Sequence, residues 1–200
     1  MTDLAALKKQ LRQSCLEKRN TLSPELRIEQ SLLACDHGCQ TPWFNSENFD
    51  PGTVVAGFHP IRSEIDPRPF MSELARRGAV LCLPVVTDPQ TIEFRELVRN
   101  ANLVDSGFGT VGPDKDAAVL NPSVLLVPLS AYDEHGGRIG YGAGFYDRAI
   151  ERLHKKGIQP KLVGMAFSVQ KVDRVPMDIH DQRLDAILTE TGFTTATKLD

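Results

Sequence analysis

The stretch Ser123–Arg148, SVLLVPLSAYDEHGGRIGYGAGFYDR, holds the pattern from which the fold can be read. Its opening run, Ser123–Leu129, is apolar without alternation, which suits a strand buried on both faces, as in a parallel sheet. A turn-forming segment follows at Asp133-Glu134-His135-Gly136-Gly137. Glycine then recurs at every second position through Gly140, Gly142 and Gly144, a poor way to build either a strand or a helix. A helical segment, Phe145–Lys156, comes next. A glycine turn feeding a helix N-terminus is a general recipe for an anion cradle, because unpaired N–H groups and the helix dipole both favour negative charge. Arg138 adds a candidate bidentate clamp on phosphate. The spacing is not a Walker loop, since no Gly-Lys-Ser/Thr follows. Nor is it the dinucleotide fingerprint, which wants glycine where Phe145 stands. Tyr141, Phe145 and Tyr146 offer flat faces for a heterocycle, with core packing as the plainer alternative. Asp147 suits magnesium, which takes one or two carboxylates plus phosphate oxygens, although an acid is also favoured in any first helical turn.

Working outward, Thr53–Phe58, Ala79–Val86, Lys161–Phe167 and Asp185–Thr189 are further short apolar runs of the buried-strand type. Thr91–Leu97 alternates better and reads as an edge strand or half of a hairpin. Between the strands, Asp66-Pro67 opens a helix running to about Arg77. Ahead of them, residues 3–20 carry the Leu4, Leu7, Leu11 stripe of an amphipathic helix. Ser23-Pro24-Glu25 starts a second helix, to about Cys35, with a capping oxygen, proline in the first turn and an acid at the positive end. Gln40–Gly52 reads as a loop. Strand and helix in series predict an α/β fold: a three-layer α/β/α single domain over residues 1–200, with a mostly parallel central sheet. Ligands in such folds sit beyond the carboxyl ends of strands.

Composition narrows the class. The 200 residues are 41% hydrophobic and 24% charged with a net charge of −3, so no global basic field marks a nucleic-acid or membrane-surface binder. No apolar run approaches the roughly 20 residues of a membrane span. The N-terminal residues lack the apolar core of a signal peptide, so the chain is expected to be cytoplasmic. Cys15, Cys35, Cys39 and Cys82 then read as reduced thiols. Cys35 and Cys39, with His37 between them, suggest half a metal site, but no second Cys/His pair completes the ligand spacing.

Other candidates lie at strand ends. Glu64, after the first strand, suits acceptance of hydrogen bonds from a ligand's N–H groups. Asp181 is a candidate second acid near a metal, with His180 beside it as a titratable neighbour. Lys8 and Arg12, four apart, share a helix face that is either solvated or able to reach one anion together.

Arg138–Arg148 resembles the signature of the 5-formyltetrahydrofolate cyclo-ligases, also called methenyltetrahydrofolate synthetases, which reads Arg-Leu-Gly-x-Gly-Gly-Gly-Tyr-Tyr-Asp-Arg. Further blocks agree in order: Lys8, Leu11 and Arg12 on the first helix, Glu64-Ile65-Asp66 after the first strand, Leu83–Val86, and His180-Asp181 with Thr189-Glu190 around the last run. The resemblance spans nearly the whole chain. It implies an enzyme that uses magnesium-ATP to phosphorylate the formyl oxygen of 5-formyltetrahydrofolate. Nitrogen 10 then attacks the activated carbon, releasing 5,10-methenyltetrahydrofolate, ADP and phosphate. The same resemblance implies ATP binding by Lys8, Lys9, Gln10, Leu11 and Arg12, and by Arg138, Ile139, Gly140, Tyr141, Gly142, Ala143, Gly144, Phe145 and Tyr146. Arg138, Lys8 and Arg12 are the implied catalytic cations. Substrate would meet His59, Glu64, Tyr141, Gly142, Ala143, Gly144 and Phe145, and Mg2+ would meet Asp147 and Asp181. The implied partners are small molecules alone, with no nucleic acid and no membrane, and the protein is expected to be a monomer.

Departures from the family pattern are Ala143 for glycine, Phe145 for tyrosine, and Gly112-Pro113 where Glu-Pro is common. Two alternatives stand beside this reading: a same-fold enzyme using ATP on another formylated or amide substrate, and a non-catalytic nucleotide- or folate-binding module.

Overall fold

The five apolar runs become five neighbouring parallel strands of one sheet. The computed structural model describes residues 4–45, 47, 49–107 and 109–197. Asp3, at the expected start of the first helix, and residues 46 and 48 of the expected loop lie outside them. The chain begins α1 (Leu4–Asn20), α2 (Pro24–Gln40), β1 (Val54–Ala56), α3 (Arg68–Arg76), β2 (Val80–Asp88), β3 (Thr91–Glu96). It continues β4 (Leu103–Gly107), β5 (Thr110–Pro113), β6 (Val119–Leu120), β7 (Val124–Pro128), β8 (Ala131–Tyr132), β9 (Arg138–Ile139). It closes with α4 (Phe145–Lys155), β10 (Lys161–Met165), a 3-10 turn at Ser168–Gln170, β11 (Ala186–Thr189) and β12 (Gly192–Thr195). The main sheet runs β12-β11-β10-β7-β1-β2-β3-β6, with β11 to β2 parallel and β12, β3 and β6 added antiparallel.

Three layers result. On one face α2 and α3 press Ala34, Phe70 and Leu74 against Val55, Leu126, Val163 and Leu188 of the sheet. On the other, Ala149, Ile150 and Leu153 of α4 pack on Ala56, Leu125, Val127 and Ile187. Each strand of the parallel core therefore feeds side chains into both layers, which is why its sequence does not alternate.

Local rules explain most boundaries. Ser23 Oγ accepts from the Leu26 N–H at 3.2 Å, capping α2 where the sequence predicts. That helix continues past Cys35 to Gln40. Gly38 lies inside that helix at a close approach, where a Cβ would lie 2.8 Å from the Phe70 ring and 2.9 Å from Leu188. It is a close-approach glycine, not a stop signal. β3 is the antiparallel partner of β2, as a hairpin half, but β6 covers its far side and removes it from the edge.

α1 belongs to neither layer. Leu4 and Leu7 are 38% and 36% exposed, so the leucine stripe meets the fold at Leu11 and not along its first two members. Leu11 and Cys15 instead pack on Ala131, Ile139 and Val175, laying α1 beside β8, β9 and the 3-10 turn. These pieces follow β7 and β10, so α1 lies at the carboxyl end of the parallel strands, the side on which ligands bind in such sheets.

Candidate functional site

Beyond those strand ends lies a cleft of about 480 Å3. Its wall takes Lys8 and Arg12 from α1, His59, Arg62 and Glu64 from the loop after β1, and the whole run Arg138–Asp147. Asp178 and Asp181 come from the loop before β11, and Thr110 and Val111 from the β4–β5 hairpin. The structure thus brings together residues separated by more than a hundred positions. Lys9 and Gln10 are exposed and lie outside the lining, and Leu11 is in the packing of α1 instead. His180 is also outside the lining; its backbone N–H donates to Asp178 Oδ1 at 2.9 Å.

The glycine run opens with the short ladder β8–β9 and ends as the N-terminus of α4. Gly142 and Gly144 have φ of +103° and +67°, the left-handed region that L side chains avoid. Gly144 is the N-cap of α4 and leaves that end without a side-chain cap. Arg12 arches over the loop: its Nε donates to the Gly140 carbonyl at 2.6 Å, and its guanidinium faces Gly142. Phe145 and Tyr146 line the cleft and also pack on the α4-side core, so both readings of these aromatics hold at once. The Tyr146 hydroxyl is buried without a hydrogen-bond partner among the described residues, and burial pushes its pKa well up.

Cations and acids of the cleft are already paired. Arg138, nearly buried, donates to Asp147 Oδ1 at 2.7 Å, and the same oxygen accepts from the Gln182 N–H at 3.0 Å. Lys8 Nζ bonds Asp178 at 3.0 Å and also Asp181. Burial pulls the Lys8 ammonium down, but hydrogen bonds and charges from Asp181 and Asp178 outweigh it and hold its pKa above 10.5. The Nε of Arg138 is buried and has no partner among the described residues.

Could these acids hold magnesium? No group of three or more His, Cys, Asp or Glu side chains suited to a metal occurs among the described residues. Asp147 and Asp181 both face the cleft, and Asp147 is bonded to the residue that follows Asp181. Two carboxylates beside a cationic cradle fit Mg2+, which takes one or two carboxylates and completes its shell with phosphate oxygens and water.

At the opposite wall Glu64 is 9% exposed. One of its oxygens accepts from the Ile61 N–H at 2.9 Å, and the Tyr141 hydroxyl beside it favours its charged form. Burial raises its pKa above 4.5, against the opposing pull of the Ile61 N–H, Arg19, Tyr141 and Arg62. Arg19, 1% exposed, donates to Ser63 Oγ at 3.0 Å and to Tyr141 Oη at 2.8 Å. Ser63 in turn donates to Asn20 at 2.5 Å. The guanidinium carbons of Arg19 and Arg62 lie 5.9 and 5.7 Å from the Tyr141 ring centroid. Arg62 holds a left-handed φ of +54°, unusual for a side-chain-bearing residue.

Sequence reasoning missed Arg19, Ser63 and Arg62. The available signal was positional: Arg19 falls eight residues after Leu11 and four after Cys15, a charge on the buried face of α1. At Gly112 the departure from Glu-Pro has a steric reason. A Cβ there would lie 2.7 Å from Val85 Cγ2 and 3.3 Å from the Pro84 carbonyl, so β5 lies flat on β2 with no room for a side chain.

Comparison with known proteins gives a consistent answer. The model of the 5-formyltetrahydrofolate cyclo-ligase family matches residues 5–190. The chain is 30% identical over 179 residues to the Escherichia coli 5-formyltetrahydrofolate cyclo-ligase, covering 86% of this chain and 94% of that one. It is 28% identical over 191 residues to the Mycolicibacterium smegmatis protein of the same name, covering 91% and 93%. Among solved structures, Aquifex aeolicus 5,10-methenyltetrahydrofolate synthetase superposes with a TM-score of 0.79 at 29% identity, over 97% of this chain and 95% of that one.

Proposed function

The chain belongs to the 5-formyltetrahydrofolate cyclo-ligase family, and from that premise we propose that its cleft converts 5-formyltetrahydrofolate and ATP to 5,10-methenyltetrahydrofolate, ADP and phosphate. One observation carries the assignment of sites. A single cleft joins a cationic glycine loop at a helix N-terminus to a buried carboxylate, through Tyr141. Polyphosphate and a flat aminopyrimidine need those two ends side by side.

In this reading Arg138, Arg12 and Lys8, with the N-terminal end of α4, hold the phosphates. They stabilise the charge that builds on transferring phosphoryl oxygens. Glu64 accepts hydrogen bonds from the aminopyrimidine edge, which a carboxylate does through both oxygens. His59 and the Tyr141–Phe145 stretch border the same substrate. Mg2+ held by Asp147 and Asp181 together with phosphate oxygens would neutralise charge on the nucleotide.

The formyl oxygen attacks the γ-phosphorus and the bond to ADP breaks. Nitrogen 10 attacks the activated carbon and gives up its proton, and the C–O bond breaks to expel phosphate. The chain's contribution is to keep both reactants in one orientation in a cleft walled by Pro84, Val86, Ile92 and Val111. No helix among the described residues is long and apolar enough to cross a membrane. A single-domain cytoplasmic monomer completes the proposal, and four free thiols suit a reducing compartment.

The test is direct. Purified protein with magnesium-ATP and 5-formyltetrahydrofolate should generate the near-ultraviolet absorbance of methenyltetrahydrofolate. Bound ATP without product would overturn the reaction.

A further inference from the structure

Cys35 and Cys39 take no part in the cleft. Four apart on α2, they share one helix face, and their sulfurs lie 4.0 Å from each other. Both are half-buried and open onto a groove between α2 and α3 of about 530 Å3, whose lining includes Ser72, Glu73 and Arg77. The other two cysteines, Cys15 and Cys82, are buried. His37 stands between the pair in sequence, but its Nε2 is engaged with the Glu190 carbonyl at 3.1 Å.

Three chemistries compete for two thiols so placed. A disulfide needs sulfurs about 2.05 Å apart and Cβ atoms near 3.8 Å. Helical neighbours four apart hold their Cβ atoms at about 5–6 Å, so that bond requires α2 to open. A closed protein metal site needs further donors, and no group of three or more His, Cys, Asp or Glu suited to a metal occurs among the described residues. One soft atom bonded to both sulfurs needs neither. Two bonds of about 2.3 Å at a pyramidal angle somewhat under the tetrahedral one set sulfurs about 3.5 Å apart, a small side-chain adjustment from the spacing already present.

We propose that Cys35 and Cys39 form a two-thiol site for a trivalent arsenical, a soft centre with two exchangeable positions. Roles divide by surroundings. The two thiols share a hydrogen bond that either sulfur can donate, and Arg77, which donates to the Cys39 carbonyl at 3.1 Å, sets its guanidinium nearby. Cys35 and Arg77 hold the Cys39 thiol below its ordinary pKa, while the bond to Cys39 and burial push Cys35 up. Cys39 therefore attacks first and Cys35 closes the ring. With an organoarsenic(III) oxide, two S–As bonds form and the As–O bonds break. The oxygen leaves as water with both thiol protons, and nothing is oxidised or reduced.

Phenylarsine oxide is the probe, and intact mass the readout. Wild-type protein should hold one phenylarsenic against excess monothiol and release it to 2,3-dimercaptopropanol. Cys35→Ser and Cys39→Ser should each lose it to monothiol at least tenfold faster, with circular dichroism unchanged. Cys15→Ser should behave as wild type. Loss of the label from wild type to monothiol, or retention by either single serine variant, overturns the proposal. Iodoacetamide should alkylate Cys39 ahead of Cys35, and the reverse order overturns the division of roles. No lining residue of the cleft belongs to α2 or α3. Folate turnover in both serine variants should therefore match wild type, and the outcome here is independent of whether the cleft reaction is confirmed.

Discussion

Arg138 and Asp147 are bonded to each other at 2.7 Å across the mouth of α4. The cation read as a phosphate clamp and the acid read as a magnesium ligand are thus each other's partners. Lys8 and Asp181 repeat the arrangement from a second pair of elements. Under the proposed function a bare nucleotide would meet cations that are already neutralised and acids that repel it. A metal–nucleotide complex would bring both signs and replace each pair without leaving a charge alone.

Asp147→Asn tests this exchange. Turnover should fall about 100-fold, the scale of losing one charge-stabilising group, while 5-formyltetrahydrofolate binding stays intact. Binding of ATP without metal should strengthen severalfold, because Arg138 is released. Isothermal titration in chelator reads the second effect, and weaker metal-free binding would sink the exchange.

Glu64→Gln should weaken folate binding by about 10- to 100-fold, the worth of hydrogen bonds to a charged group. ATP binding should be unaffected. The pH dependence follows from the direction of the shift. Burial raises the Glu64 pKa above 4.5, so the ionised acceptor is lost as pH falls through that raised value, before an exposed glutamate would protonate. Folate affinity should therefore drop on its acid side in wild type, and that limb should vanish in the glutamine variant. For stability the sign is opposite. A raised carboxylate pKa favours the fold below its unfolded value and costs stability once the group ionises, so Glu64→Gln should not destabilise the protein at neutral pH.

Arg19→Gln should raise the folate KM more than the ATP KM, because Arg19 holds Tyr141, and through it Glu64, without lining the cleft itself. It should also cost about 1–3 kcal/mol of stability by stranding buried hydroxyls, read by urea denaturation. If the folate KM does not change, Arg19 serves the fold alone.

Gly112→Ala should cost about 1–3 kcal/mol by overpacking β5 on β2. The same contact predicts that Gly112→Glu, which restores the commoner family residue, impairs rather than improves the enzyme. A variant as stable as wild type in thermal denaturation would show that the hairpin can shift.

Much of this was readable before any coordinates. Ser123–Leu129 and its fellow apolar runs declare buried parallel strands, because both faces of each must be covered. Ser23 and Pro24 announce α2 by chemistry that acts within one turn. The glycine run announces its own unusual backbone. What stayed hidden depends on partners distant in the chain. β4 is mostly exposed and among the described residues pairs only with β5, so Leu103–Gly107 carries no burial pattern to detect. The second helix, expected to about Cys35, runs on to Gln40, with Gly38 packed against Phe70 of α3. Leu4 and Leu7 suggest a buried stripe, but α1 reaches the fold only from Leu11 of that stripe and leaves these two exposed. Arg19 looks like a surface arginine until Ser63 and Tyr141 are in place.

The position of α1 has a kinetic meaning. Its hydrogen bonds into the cleft join Lys8 to Asp181, Arg12 to Gly140 and Arg19 to Tyr141, spans of 173, 128 and 122 residues. Contacts that close such long loops are rewarded only after the intervening chain is ordered. Docking of α1 therefore waits on segments far along the chain. A nascent chain that has already paired β1, β2, β7 and β10 still has an open, unfinished cleft until residues near Asp181 emerge.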